Sequence, residues 1–226
     1  RIFERTLINS LNSSDHVTSV GFNLQAMKRT ASNVRERLSP EQWSTINQCI
    51  ENFQEDCHKA STFHDFSSSL AIDALNRANG SLSAITGAQA DRMTRDDGWQ
   101  LLSIGRHIER LSFLTAALDL AIEVGLLHDT NADDSGYIAL LQLFDSTITF
   151  HAQHQQSREL EPLIELLVLD DENPRSLAWV SKALRARLSK LAGTERNQPD
   201  ELTRSVTNLQ NYSLETLCIR DGSGAL

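Results

Sequence analysis

Between Asp15 and Arg37 apolar side chains fall at Val17, Val20, Phe22, Leu24, Met27, Ala31 and Val34, and Leu38 continues the series, mostly at steps of three and four. Residues so spaced share one face of an α-helix, so the stretch predicts an amphipathic helix. Ser39-Pro40-Glu41-Gln42 reads as a capping box with proline at the first helical position, opening a helix through Trp43, Ile46 and Ile50. A long helix is expected from about Phe66 to Gln89, with Asn79-Gly80 as a weak point where it bends.

Thr94, followed three residues later by Asp97, is expected to cap the next helix, which runs to about Gly125. Its pattern has two apolar seams, one through Leu101, Ile104, Ile108, Leu111, Leu118 and Ile122, the other through Trp99, Leu102, Phe113 and Leu120. A helix apolar on two sides is expected between neighbours, at the centre of the fold. After a polar, turn-rich stretch, His128 to Ser135, a helix is expected from Tyr137 to about His154, then a short one from Leu160 to Leu169. Asn173-Pro174 is read as the cap of a helix through Leu177, Val180, Leu184 and Leu188. A polar linker, Gly193 to Asp200, a last helix through Leu202, Val206, Leu209 and Leu214, and a frayed tail, Asp221 to Leu226, complete the chain. The pattern predicts an all-α fold: a bundle of about seven to eight helices around a buried central helix near 95–125, one domain over 1–226.

Composition agrees with helix: ten glycines and four prolines are few for 226 residues, and no Val/Thr/Tyr-rich alternating runs compete. Three cysteines, Cys49, Cys57 and Cys218, form no CxxC pair, which argues against a disulfide framework and for a reducing, cytoplasmic setting. Leu111 to Leu127 is apolar but carries Asp119 and Glu123, short of a membrane span. Nothing at the start resembles a signal peptide, and Arg1 suggests a fragment. A net charge of −9 disfavours a role that depends on broad phosphate neutralisation, so no nucleic-acid partner is expected. No Gly-rich phosphate loop and no nucleophile elbow occur, and no cofactor is implied.

The residues that stand out interrupt an apolar seam. Positions 99, 102, 106, 109 and 113 share a stripe, so Arg106 and Glu109 lie among Trp99, Leu102 and Phe113. Charges drawn towards a low-dielectric interior must be paired or bind something charged. One reading is a polar pocket in which Arg106 holds a carboxylate or phosphate and Glu109 holds an amine or acts as a base. The other is a structural ion-pair network with Arg110, Arg92, Arg95, Asp96 and Asp97. His151 and His154 stand one turn apart, and Glu55-x-x-His58 is half of a di-iron pattern, but no second copy exists and no metal site is expected. Trp43, Trp99 and Trp179 read as core residues.

Met93-Thr94-Arg95-Asp96-Asp97-Gly98-Trp99, continuing to Gly105-Arg106-His107-Ile108-Glu109-Arg110, resembles the signature of the alpha-E family of bacterial helical proteins. A second stretch, Leu166 to Asp170 with Glu172-Asn173-Pro174-Arg175-Ser176-Leu177-Ala178, and a weaker one, Asn33 to Ser39 with Trp43, extend the resemblance over most of the chain. It implies an all-helical domain encoded beside, or fused to, an ATP-grasp amide-ligase-like protein and a transglutaminase-like peptidase. The implied setting is a peptide synthesis or tagging system; no reaction is implied. Similar proteins begin with a further helical segment that this chain is expected to lack, which would leave an apolar groove. Where they carry a Tyr/Arg-rich stretch, this chain has Phe150, His151, Gln153, His154 and Gln155.

Three functions follow from these readings. The first is an accessory module that binds the ATP-grasp-like or transglutaminase-like partner or its peptide, with Arg92, Asp96, Trp99, Arg106, Glu109, Arg110 and Arg175 as the binding set. The second is an enzyme acting on amide or peptide bonds, with Glu109 as general base. The third is a metal-binding bundle. A homo-oligomer is open to each.

Overall fold

The computed structural model describes residues 2–62, 68–127, 135–155, 159–192 and 212–219. Every regular element among them is helical, as the periodicity predicts. The helices are α1 (Ile2–Leu11), α2 (Val20–Asn33), α3 (Pro40–Thr62), α4 (Ser68–Arg92), α5 (Asp97–Glu123), α6 (Ser135–Leu143), α7 (Thr147–His154), α8 (Leu160–Ile164), α9 (Leu177–Ala192) and α10 (Leu214–Leu217). A 3-10 turn follows α2 at Arg35–Arg37, and a π-helical turn follows α8 at Glu165–Leu169. The expected stretch 128–134, the linker 193–200, the last helix through Leu202, Val206 and Leu209, and the tail 221–226 lie outside the described residues. So does Phe66, the expected start of α4. Among the described residues no helix is long and apolar enough to cross a membrane.

The chain forms two compact units, residues 1–93 and 94–226. In the first, α3 packs along α4 and also takes α1 and α2. Its core gathers Leu24, Ile46, Ile50, Phe53, Ala78 and Ile85, with Trp43 partly buried against it. The capping box forms as expected: Gln42 Oε1 accepts from Ser39 N at 3.0 Å, and Ser39 Oγ accepts from Gln42 N at 3.2 Å. The helix predicted from Asp15 starts later, because Ser19 Oγ accepts from Phe22 N at 2.9 Å and caps α2 there. α4 runs through Asn79-Gly80 without a break.

The second unit is built on α5 and α9, with α6, α7 and α8 closing its core. Leu163, Leu167 and Val180 are fully enclosed there, beside Leu114, Leu118, Phe144 and Phe150. The cap of α5 is Asp96 rather than Thr94: its Oδ1 accepts from Trp99 N at 3.1 Å, which fixes the first turn one residue before Asp97. Gly125, at φ 70°, ends the helix in a left-handed turn closed by Leu126 N donating to Ala121 O at 2.9 Å, a geometry suited to glycine.

The single helix expected over 137–154 is two, because Asp145 at φ 50° turns the chain between α6 and α7. Ser146 N donates back to Leu141 O at 2.8 Å and closes that turn. Likewise Ser176, not Asn173, caps α9, its Oγ accepting from Trp179 N at 3.0 Å. Of the two seams foreseen on α5, Ile104, Leu118 and Trp99 are buried, whereas Leu101, Ile108, Phe113, Leu120 and Ile122 are exposed. α9 covers one side of α5, and the apolar pattern continues around it onto the surface.

Candidate functional site

The charged stripe of α5 meets the start of α9 along one edge of the second unit. Arg106 and Arg110 are one turn apart on α5, Arg106 partly buried and Arg110 more open. Arg175 comes from the turn ahead of α9, which is tied down by side-chain bonds. Asp170 Oδ1 accepts from Glu172 N at 2.8 Å and from Asn173 N at 3.2 Å. The buried Asn173 amide donates to Leu166 O at 3.1 Å and Ser146 Oγ at 3.3 Å, while its Oδ1 accepts from Arg175 N at 3.1 Å. From this anchored backbone Arg175 reaches across to Asp145, with Nη2 to Oδ2 at 2.8 Å.

Burial lowers the pKa of Arg106, with the charge of Arg110 adding to it, and burial with the charge of Arg175 does the same to Arg110. Arg110 thus lies near enough to act on Arg106, and Arg175 near enough to act on Arg110, while Arg175 is itself paired with Asp145. His107 sits inside the same edge. Its Nδ1–H donates to Ser103 O at 2.5 Å, and its ring stacks on Trp179 with centroids 6.0 Å apart. Burial depresses its pKa below the ordinary imidazole value, the bond to Ser103 opposes this, and Arg110, Arg187 and Arg106 depress it further. The imidazole is thus held towards its neutral form, with Nδ1 carrying the proton. Nearer the start of α5, the indole of Trp99 lies under the guanidiniums of Arg95 at 4.1 Å and Arg187 at 4.4 Å, each a cation–π contact.

Of the residues expected to bind, Arg106, Arg110 and Arg175 come together. Trp99 and Asp96 stand at the first turn of α5, Asp96 spent on capping. Glu109 is exposed on the outer flank of α5, and Arg92 ends α4 in the first unit. His107, Asp145 and Arg187 were missed; His107 alone gave a signal, lying between two arginines and one turn from Ser103. Both histidines of the pair lie against Phe150: His151, exposed, at 6.2 Å with its Nδ1–H donating to Gln155 O at 2.7 Å, and His154 at 5.1 Å. Glu55 pairs with Lys59 at 2.7 Å. Cys57 is buried, and desolvation followed by the charge of Asp56 pushes its thiol up to about 11.

Residues 3–221 match the profile of Alpha-E, a predicted alpha-helical domain with a conserved ER motif. The chain belongs to the Alpha-E family. Glu109-Arg110 is one of four Glu-Arg pairs in the sequence, with Glu4-Arg5, Glu36-Arg37 and Glu195-Arg196, and its Arg110 lies on the edge just described. The chain is 25% identical over 189 residues to the uncharacterized protein Rv2567 of Mycobacterium tuberculosis, covering 83% of this chain and 21% of that protein. The uncharacterized protein Mb2597 of Mycobacterium bovis is similar to the same extent. The Alpha-E chain thus spans about a fifth of the length of these curated relatives. No solved structure matches it.

Proposed function

We propose that this Alpha-E chain is a recognition module without turnover of its own, serving a bacterial, cytoplasmic peptide synthesis or peptide-tagging system. Its partner is an ATP-grasp-like or transglutaminase-like protein, or the peptide such a protein handles. The observation that carries the reading is the convergence of Arg106, Arg110 and Arg175 on one edge of α5 and α9, beside the neutral ring of His107. Arginines offer planar, forked donors that match a carboxylate or phosphate. The relatives support a modular role, since the matched region is 21% of their length.

An enzyme with Glu109 as general base draws less from this geometry. Glu109 lies exposed on the outside of α5, whereas a base that abstracts a proton works from a concave site where water is excluded. A metal-binding bundle needs converging donors, and among the described residues no three His, Cys, Asp or Glu side chains gather.

The test is capture from the native cell extract on immobilised wild type and on Arg106→Ala/Arg110→Ala, with circular dichroism confirming that both fold. Recovery of an ATP-grasp-like or transglutaminase-like protein by the wild type alone, identified by mass spectrometry, is the expected result. Equal recovery by both removes the arginine edge as the docking site, and recovery by neither removes the reading.

A further inference from the structure

The geometry points to a docking track on α5, from Arg110 to Val124, for one amphipathic helix of a partner protein. That helix carries an apolar stripe, acidic residues at the end that meets Arg110 and Arg175, and lysines or arginines along the flank that meets Glu109 and Glu123. The inference rests on the recognition reading above and names the class of segment recognised.

The track begins in the sequence. Phe113, Ala117, Leu120 and Val124 step by four, three and four, so they form one stripe down the second half of α5. Phe113 is 53% exposed, Leu120 57% and Val124 58%. Three large apolar side chains in a row on one surface stripe mark an interaction face, where scattered ones would not. α6 supplies the other wall. After the turn at Gly125, Gly136 lies so close to Leu126 that a Cβ there would stand 2.9 Å from Leu126 O. The helix then runs back to Asp145, which holds Arg175 beside Arg110. Between the walls is a groove of about 490 Å³ whose lining includes Phe113, Leu120, Leu126 and Leu143, with Ala117 and Ala121 on its floor. Alanines on the floor let another helix approach, because the interaxial distance is set by the side chains at the contact. Fourteen residue steps from Arg110 to Val124 span ~21 Å at 1.5 Å each, the length of about four helical turns.

Charge selects the occupant. One end of the groove is basic, at Arg110 and Arg175, and the outer flank is acidic, at Glu109 and Glu123, both exposed on α5. A second copy of this chain packed antiparallel about Ala116 fits poorly, because it sets Glu109 opposite Glu123 on the same flank, where like charges meet. A partner helix with an acidic end and a basic flank meets opposite charge at both places, in the helix-in-groove mode whose anchors recur at i, i+3, i+4 and i+7.

The experiment is selection from a display library of helical peptides about 18 residues long, enough to cover the track at the helical rise, with randomised exposed positions. Selected peptides are then measured against the purified chain by fluorescence anisotropy. The expected peptides carry the apolar stripe, an acidic end and a basic flank. Their affinity falls at least tenfold against Leu120→Asp and, separately, against Phe113→Ser. Against Arg110→Glu it falls too, and returns when the peptide's acidic end is changed to lysine. Peptides lacking this pattern, or binding Leu120→Asp as well as wild type, overturn the track, as does a library that yields no binder. Dimerisation of the chain that Leu120→Asp abolishes assigns the groove to a second copy and also overturns it. Capture of the cellular partner by Leu120→Asp with wild-type yield ends the groove inference while leaving the recognition reading intact. Loss of capture by Arg106→Ala/Arg110→Ala alone tests that reading separately.

Discussion

α4 and α5 are the longest helices of the two units and nearly equal in length, yet they treat their outer faces in opposite ways. α4 buries a stripe of Ala74, Ala78 and Ile85, and its open face presents Asp73, Asn76, Arg77, Ser83 and Thr86, with Ile72 as an apolar exception. α5 buries Trp99, Ile104, Leu114 and Leu118 but leaves Leu101, Ile108, Phe113 and Leu120 about half exposed. Both inner faces answer the need for a core. Only α4 follows the usual economy of polar residues outside; α5 retains apolar surface that adds nothing to its own unit's core. The core-forming residues and the exposed apolar ones are therefore separable along α5, the first on the side facing α9, the second on the stripe beside it.

The sharpest way to break this comparison is to strike the inner faces. Phe53→Ala, at a site 2% exposed, should destabilise the first unit by about 3–5 kcal/mol, and Leu163→Ala the second by about 2–5 kcal/mol. Urea melts followed by circular dichroism would record either. Asn173→Ala should cost about 1–3 kcal/mol, since it leaves Leu166 O without that donor, and the same variant should weaken anion binding by releasing Arg175; isothermal titration with inorganic phosphate reads the second effect. Asp96→Ala should cost about 1 kcal/mol through loss of the cap, whereas Thr94→Ala should leave the urea midpoint in place. On the outer face, Leu120→Ser should change stability by no more than about 0.5 kcal/mol; a large loss would make that stripe part of the fold.

The finest distinction is a slope against pH. The folded chain holds the pKa of His107 below its ordinary value, so the unfolded chain takes up the proton first as pH falls. The corresponding stability is present above the ordinary imidazole value and is lost as pH drops through it towards the folded value. Wild type should therefore lose stability more steeply than His107→Gln between about pH 7 and pH 5, and an imidazole resonance titrating at or above the ordinary value would contradict the burial of the ring.

Much of this was legible where the signal was local. The capping box at Ser39 and Gln42 needs four consecutive residues, and it formed as read. The helical periodicity placed α3, α4, α5 and α9 because each buries a face over many turns. Local chemistry misled where two residues could serve equally: Thr94 and Asp96 are both capping types, and the bond from Trp99 N decided for Asp96. The break between α6 and α7 has no glycine or proline to announce it. Phe144 and Phe150 are both buried, and the chain turns at Asp145 so that both reach the core. At the site, the stripe through Arg106 was readable on one helix. Its meeting with Arg175 and Arg187 depends on how α9 packs, which a single helix's spacing does not encode.

The left-handed turn at Asp145 has a consequence for how the sequence can change. A non-glycine residue at φ 50° carries a conformational cost of roughly 1 kcal/mol that glycine would remove. Yet glycine would also take away the carboxylate that holds Arg175 at 2.8 Å. Selection for thermal robustness alone would drift this position towards glycine, and selection for the arginine edge would hold it at aspartate. The residue found at position 145 in a given descendant thus reports which of the two pressures has prevailed there.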